Sequence, residues 1–226
     1  MTIEDRKVPP ELVPYLGNTL KWLAEDTGAW GNYRPDNKGN GPVVELIRYL
    51  NDWISFCSNR RVLIQAGGNQ GMYPKAYSHF FEQVYTFEPD PISYDILTQN
   101  IIEPNVKHFN KGLSDKASKA HLYLQSPTRC NNGTHRIVHV EDTYNDNDTI
   151  IVETITIDSL NLSQVDLIHL DVEGHEDMVI SGAIQTIESC MPVIISESNK
   201  IQPMLEKYNY VCKGRYQDYV FVPTSR

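Results

Sequence analysis

Carboxylates and a histidine crowd the end of one apolar run. Val165 to Asp171 leads straight into Val172-Glu173-Gly174-His175-Glu176, and a second run, Pro192 to Glu197, also ends in an acid. A carboxylate or imidazole so placed can take a proton from a bound ligand, and histidine titrates near neutrality. Asp171, Glu173, His175 and Glu197 are therefore the candidate catalytic residues. Asp171 and Glu173 would also suit the start of a helix near Glu176, where negative charge is favoured. With Glu197 they form an oxygen set that Mg²⁺ or Ca²⁺ accepts. No loop of regularly spaced oxygen ligands accompanies them, so a divalent metal is possible but not favoured, and no residue is assigned to one.

A second cluster, Gly67-Gly68-Asn69-Gln70-Gly71, follows the apolar run Arg61 to Ala66. Gly67 and Gly71 allow positive φ and leave no Cβ in the way of a ligand, and Asn69 tolerates the left-handed region. The next helix aims its unpaired amides at whatever lies there. Glu88 ends the following strand about 20 residues on, where an acid accepts hydrogen bonds from ribose hydroxyls. Turn and acid together point to a nucleoside. A dinucleotide fingerprint aligned on Gly67 needs glycines where the chain has Asn69 and Met72, and no GK[ST] occurs. A cofactor without phosphate fits better, and S-adenosylmethionine is the leading candidate.

The elements that hold these residues follow from periodicity. Leu12, Tyr15, Leu16, Leu20 and Leu23, then residues 43–56, have helical spacing, so residues 1–60 read as a helical extension packed on the core. Gly28 to Pro42 between them reads as a loop or lid. From residue 61 short strands alternate with helices: Arg61 to Ala66, Gln83 to Glu88, Val106 to Lys111, Val165 to Asp171 and Pro192 to Glu197, with helices at Tyr73 to Phe81, Ser93 to Ile102, Glu176 to Ser189 and Ile201 to Tyr208. Residues 119–157 read as an antiparallel insert, and Tyr210 to Val222 as a closing hairpin. The expected fold is α/β, a doubly wound, mostly parallel seven-stranded sheet with helices on both faces, built from residues 61–226. Ligands of such sheets lie beyond the carboxyl ends of the strands, where both clusters fall.

Composition removes several classes of function. The formal charge of −9 over 226 residues repels a phosphate backbone, so no nucleic-acid partner is expected. No apolar run approaches the ~18 residues of a membrane helix, so no membrane partner is expected. The opening MTIEDRKVPP lacks the apolar core of a signal peptide, so a cytoplasmic location is expected. Four cysteines without CxxC spacing then read as reduced thiols.

The segment Val62 to Gly71 resembles motif I of class I methyltransferases. More closely, Gly67 to Gly71, Thr86-Phe87-Glu88-Pro89, Leu167 to Glu176 and Ile194-Ile195-Ser196-Glu197 together resemble the FkbM family, as do Lys111 to Asp115 and Asp218 to Val222. Two positions depart from the family pattern: Gln65 stands where motif I usually opens with an acid, and His169 where a lysine usually precedes DVEG. The resemblance implies a class I (Rossmann-like) fold and S-adenosylmethionine-dependent methyl transfer, mostly to hydroxyls of sugars or other small molecules. The candidate cofactor contacts are then Gln65, Gly67, Gly68, Asn69, Gly71, Glu88, Pro89, Gly112, Leu113 and Asp171, and the partner a small-molecule or saccharide acceptor. His121, His135, His139 and Asn131 to Thr134 fall in the insert expected to cover the acceptor. The alternatives are a non-catalytic interaction module on the same fold and an NAD-dependent sugar-modifying enzyme.

Overall fold

Six consecutive buried residues, Val165–Leu170, form a strand with no solvent-facing side, so its sheet must be covered on both faces. The computed structural model describes residues 10–15, 18–23, 26, 49–124, 132–138 and 148–224. In chain order these contain β1 (Pro10–Tyr15), β2 (Asn18–Leu23) and a helix over residues 49–54, α1. Next come β3 (Val62–Ala66), α2 (Met72–Tyr77), β4 (Gln83–Phe87), α3 (Pro91–Asn100) and β5 (Val106–Phe109). A second group has β6 (Gly112–Leu113), β7 (Ser118–Tyr123), β8 (Arg136–Ile137) and β9 (Thr149–Ile155). The chain closes with β10 (Val165–Leu170), α4 (Glu176–Ser181), α5 (Ile184–Cys190), β11 (Val193–Ser196), α6 (Gln202–Glu206), β12 (Tyr210–Tyr216) and β13 (Asp218–Pro223).

The main sheet is mixed and seven-stranded, in the order β12-β13-β11-β10-β3-β4-β5. From β5 through β11 the neighbours are parallel, and β13 runs antiparallel to both β11 and β12. Side chains alternate across the sheet. Leu63 and Leu167 join Leu50, Trp53 and Ile54 of α1 and Ala76 and Tyr77 of α2 in one core. Ile64, Ile168 and Leu170 join Val179 and Ile180 of α4 and Ile187 of α5 in the other. The chain leaves β3 toward β4 and β5, then returns to place β10 on the other side of β3. That reversal opens a crevice at the carboxyl ends of β3 and β10.

Two buried polar residues of β10 are accommodated differently. The Asp166 carboxylate accepts from the Arg61 amide at 2.8 Å and from its guanidinium at 2.6 and 3.0 Å. His169 is boxed by Trp53, Tyr73 and Tyr77, with its Nδ1 3.2 Å from the Tyr77 hydroxyl.

The N-terminal segment corrects the sequence expectation. Residues 10–15 and 18–23 form two antiparallel strands, with Tyr15 opposite Asn18 and Pro10 opposite Leu23, where a helix was expected. The apolar spacing there fits a helix, but Pro14 has no amide to donate and biases residue 13 toward extended backbone. Residues 49–54 are helical as expected, whereas the loop at 28–42 lies outside the described residues.

The insert forms a separate four-stranded sheet, β6-β9-β7-β8. Its β7 pairs are antiparallel, and β6 runs parallel to β9. The helix expected over 176–189 is two helices. Gly182 and Ala183 separate them, and a Cβ on Gly182 would lie 2.0 Å from the Ser114 carbonyl oxygen, so the backbone just after β6 passes directly over the break.

Candidate active site

Beyond β3 the chain turns at once. Gly67 and Gly68 donate their amides to the Phe87 carbonyl at 3.0 and 2.9 Å, and Gly67 adopts a φ of 85°. Across the crevice the Asp171 amide donates to the Ala66 carbonyl at 3.1 Å. The two loops are so close that a Cβ on Gly67 would stand 1.8 Å from the Asp171 carbonyl oxygen. Asn69 follows at a φ of 44°, and its amide donates to Glu88 Oε2 at 2.6 Å. The Asp90 amide donates to the other Glu88 oxygen at 2.7 Å. The Glu88 carboxylate is thereby locked at the mouth of β4 with lone pairs left for further donors.

These residues line one cleft. Its walls take Gly67, Asn69, Glu88, Pro89, Gly112, Leu113, Asp171, Glu173, His175 and Glu197 from the sequence candidates. Gln65, Gly68 and Gly71 lie elsewhere. Gln65 is fully buried under the turn, accepting from the Thr86 hydroxyl at 2.5 Å and donating to the Gly67 carbonyl at 2.5 Å. An uncharged amide in that position braces the turn from behind. Gly68 gives up its side chain to the packing of Thr86 and Leu97, and Gly71 caps α2 at a φ of 97°.

The cleft also takes residues that strand-end reasoning passed over: Tyr73, Phe87, Gln217 and Asp218. Asp218 opens β13 at the tip of the closing hairpin, and its only signal in the sequence is an acid at the head of the last strand. From the insert come Leu122, Asn132, Gly133, His135 and Ile137. His135 reaches the main domain, with Nδ1 3.4 Å from Asp90 Oδ2. His175 is buried at the start of α4, with Nε2 3.0 Å from the Ser114 hydroxyl. His121 is off the cleft, and Asn131 and His139 lie outside the described residues.

Carboxyls dominate the inner end. Oxygens of Asp171, Glu173 and Glu197 all lie within 4.8 Å of one another. Glu173 is held there in the left-handed region, at a φ of 52°. Burial pushes Asp171 and Glu173 up to about 7, and Glu197 up to about 10. The acids then raise one another, Asp171 acting on Glu197 and Glu197 on Glu173. Such a group holds protons at neutral pH that exposed carboxylates would have lost.

The sign of the effect on stability follows. Between the ordinary values of 3.8 and 4.5 and the folded values near 7, the native state binds more protons at Asp171 and Glu173 than the unfolded chain does. Stability contributed here is present below about pH 4 and is lost as pH rises through about 7. Asp171→Asn should therefore raise the melting temperature relative to wild type at about pH 8 more than at about pH 5. An equal shift at both would show that burial does not perturb this carboxyl.

Comparison with known proteins gives this cleft its context. A model of the methyltransferase FkbM domain matches residues 65–213, about two-thirds of the chain, and contains the glycine turn, Glu88 and all the inner carboxyls except Asp218. The chain belongs to the FkbM methyltransferase family. It is 27% identical over 174 residues to a hexuronic acid methyltransferase, AglP, of Haloferax volcanii, covering 74% of this chain and 66% of that one. A solved FkbM methyltransferase from Methylobacillus flagellatus superposes with a TM-score of 0.49 at 14% identity, over 72% of this chain and 43% of its own. A Streptococcus mutans protein described as a putative methyltransferase in complex with SAH gives 0.45 at 8% identity, over 81% and 97%. The FkbM chain thus spans under two-thirds of AglP and under half of the M. flagellatus protein.

Proposed function

We propose that this FkbM-family chain transfers a methyl group from S-adenosylmethionine to a hydroxyl of a saccharide or other small-molecule acceptor. The observation that carries the reading is one cleft with the fixed Glu88 carboxylate at one end and three clustered carboxyls at the other, joined at the Gly67–Asp171 contact. The residues fit the cofactor. Glu88 presents a fixed carboxylate to a ribose diol. Phe87, Pro89 and Leu113 offer apolar surface to a base. The buried Asn69 Oδ1 has no hydrogen-bond partner among the described residues, so it suits a donor from the ligand. When bound, the cofactor supplies an electrophilic methyl carbon on a cationic sulfur.

The chain's own part is alignment and proton handling. Glu197 keeps its proton near neutrality, while Asp171, held by its backbone bond to Ala66, is half ionised. Asp171 accepts the acceptor's hydroxyl proton, Glu197 stabilises the ionised Asp171, and Glu173 hydrogen-bonds the sugar. Asn132, Gly133 and His135 close the cleft from the insert and limit water. The reading implies a small-molecule partner, and AglP's described substrate supports a saccharide.

Calorimetric titration with S-adenosylmethionine and S-adenosylhomocysteine tests it, with NAD as the comparison. Both should bind and NAD should not. Glu88→Gln should weaken binding by about 10- to 100-fold, the loss of hydrogen bonds to a charged acceptor. Failure of both to bind would end the reading and favour an interaction module on the same fold.

A further inference from the structure

A second groove adjoins the cleft and shares His175 and Ile137 with it. Its chemistry is opposite. The cleft is lined by the carboxyls of Glu88, Asp171, Glu173, Glu197 and Asp218 and, among the described residues, by no lysine or arginine, so it offers an anion no cationic partner. The groove gathers Lys116, Lys119, Arg136 and Lys200 from separate parts of the chain. Lys116 lies in the turn before β7, Lys119 in β7, Arg136 in β8 and Lys200 in the 3-10 turn after β11. Such convergence is unexpected on a protein of formal charge −9.

Lys116 and Lys200 form no ion pair among the described residues, and Lys119 faces Glu153 across the β7–β9 ladder without a close ion pair, whereas Lys75 and Lys111 pair with Glu103 and Glu153. Of the three acids in the same lining, two are engaged locally. Glu176 accepts the Gly174 amide at 2.9 Å, and Asp115 accepts the Ser114 hydroxyl at 3.1 Å. Asp177 is the third. Ser118 and His121 also line the groove.

We infer that this groove binds an anionic group, carboxylate or phosphate, carried by the acceptor whose hydroxyl enters the cleft. The inference rests on the methyl-transfer reading for the word acceptor, and on the groove itself for the anion. It makes the substrate class a sugar acid or a sugar phosphate. The anion anchors the molecule on the lysines, and His175 and Ile137 mark the boundary its neutral hydroxyl must cross. Lysines are suited to this because their flexible ammonium groups satisfy either anion without a fixed fork.

Amide chemical-shift mapping on the isotope-labelled chain tests it, with glucuronate and glucose 1-phosphate as probes and glucose as the uncharged control. Both anions, or one of them, should shift residues 114–121, 136–138 and 200–204, and glucose should not. The arm that responds tells carboxylate from phosphate. Combined Lys116→Gln, Lys119→Gln and Lys200→Gln should weaken the responding anion about tenfold. The same variant should bind S-adenosylhomocysteine as wild type does, which also shows that it is folded. Equal response to glucose, no response to either anion, or undiminished anion binding in the folded variant overturns the inference. Lysine-dependent anion binding by a chain that fails to bind S-adenosylhomocysteine would uphold the groove and remove the methyl-transfer reading instead.

Discussion

Asp171→Asn should lower kcat by about 100- to 10,000-fold, the range for loss of a positioned general base. Asparagine keeps the shape and the backbone bond to Ala66, so S-adenosylhomocysteine affinity should stay within a few-fold of wild type. The pH profile is the sharper readout. A base at about 7 must be ionised to work, so wild-type kcat should rise with pH through that value and then level. The variant should lose that limb. A variant with unchanged kcat, or one that retains the limb, would move the base to Glu173 or His175. The three carboxyls are also close enough to hold a divalent cation, and an assay in EDTA separates the two roles. Activity that persists in EDTA leaves the carboxyls to proton transfer, while loss that is restored by Mg²⁺ reassigns them as ligands.

Gly67→Ala should be the most damaging small substitution in the cleft. A φ of 85° is strained for alanine, and the added Cβ would stand 1.8 Å from the Asp171 carbonyl oxygen, backbone that no rotamer change can move aside. Strain and overlap together should cost about 2–4 kcal/mol. For a chain of this size that is a fall in Tm of about 5–15 °C. Gly174→Ala is the control. Its φ is 99°, but nothing lies within 4 Å of the added Cβ, so only the conformational penalty of about 1 kcal/mol remains. Similar losses at both positions would mean that the approach of the two loops is not tight. Since Gly67→Ala pushes on Asp171, it should also remove activity at temperatures where the chain is still folded.

Some of this cleft was legible before any coordinates. Glycines that follow an apolar run, an acid at the end of the next strand and acids at the ends of two later strands are local patterns. In an open α/β sheet all strand ends on one side meet, so Gly67, Glu88, Asp171 and Glu197 converge as soon as the alternation is recognised. Gln65 shows the limit. Position 65 alternates with its neighbours in the strand, but whether its amide faces the ligand or the turn depends on Thr86, 21 residues away. The N-terminal hairpin is a second case, since Leu12 to Leu23 carries apolar spacing compatible with a helix while its proline favours extended chain.

The sequence by itself determined the alternation of the main-sheet strands with helices from residue 61 onward, the glycine turn and which acids stand at strand ends, because side-chain period and turn chemistry act over a few residues. Only the tertiary structure decided that Asp218 and His135 join the cleft, that Gln65 turns away from it and that His169 sits in an aromatic box. It also decided that three carboxyls share one half-buried corner and titrate above the ordinary carboxylate range. Each of these depends on distances between residues far apart in the chain, and the charge state of an acid is set by burial and by neighbours that no local pattern encodes.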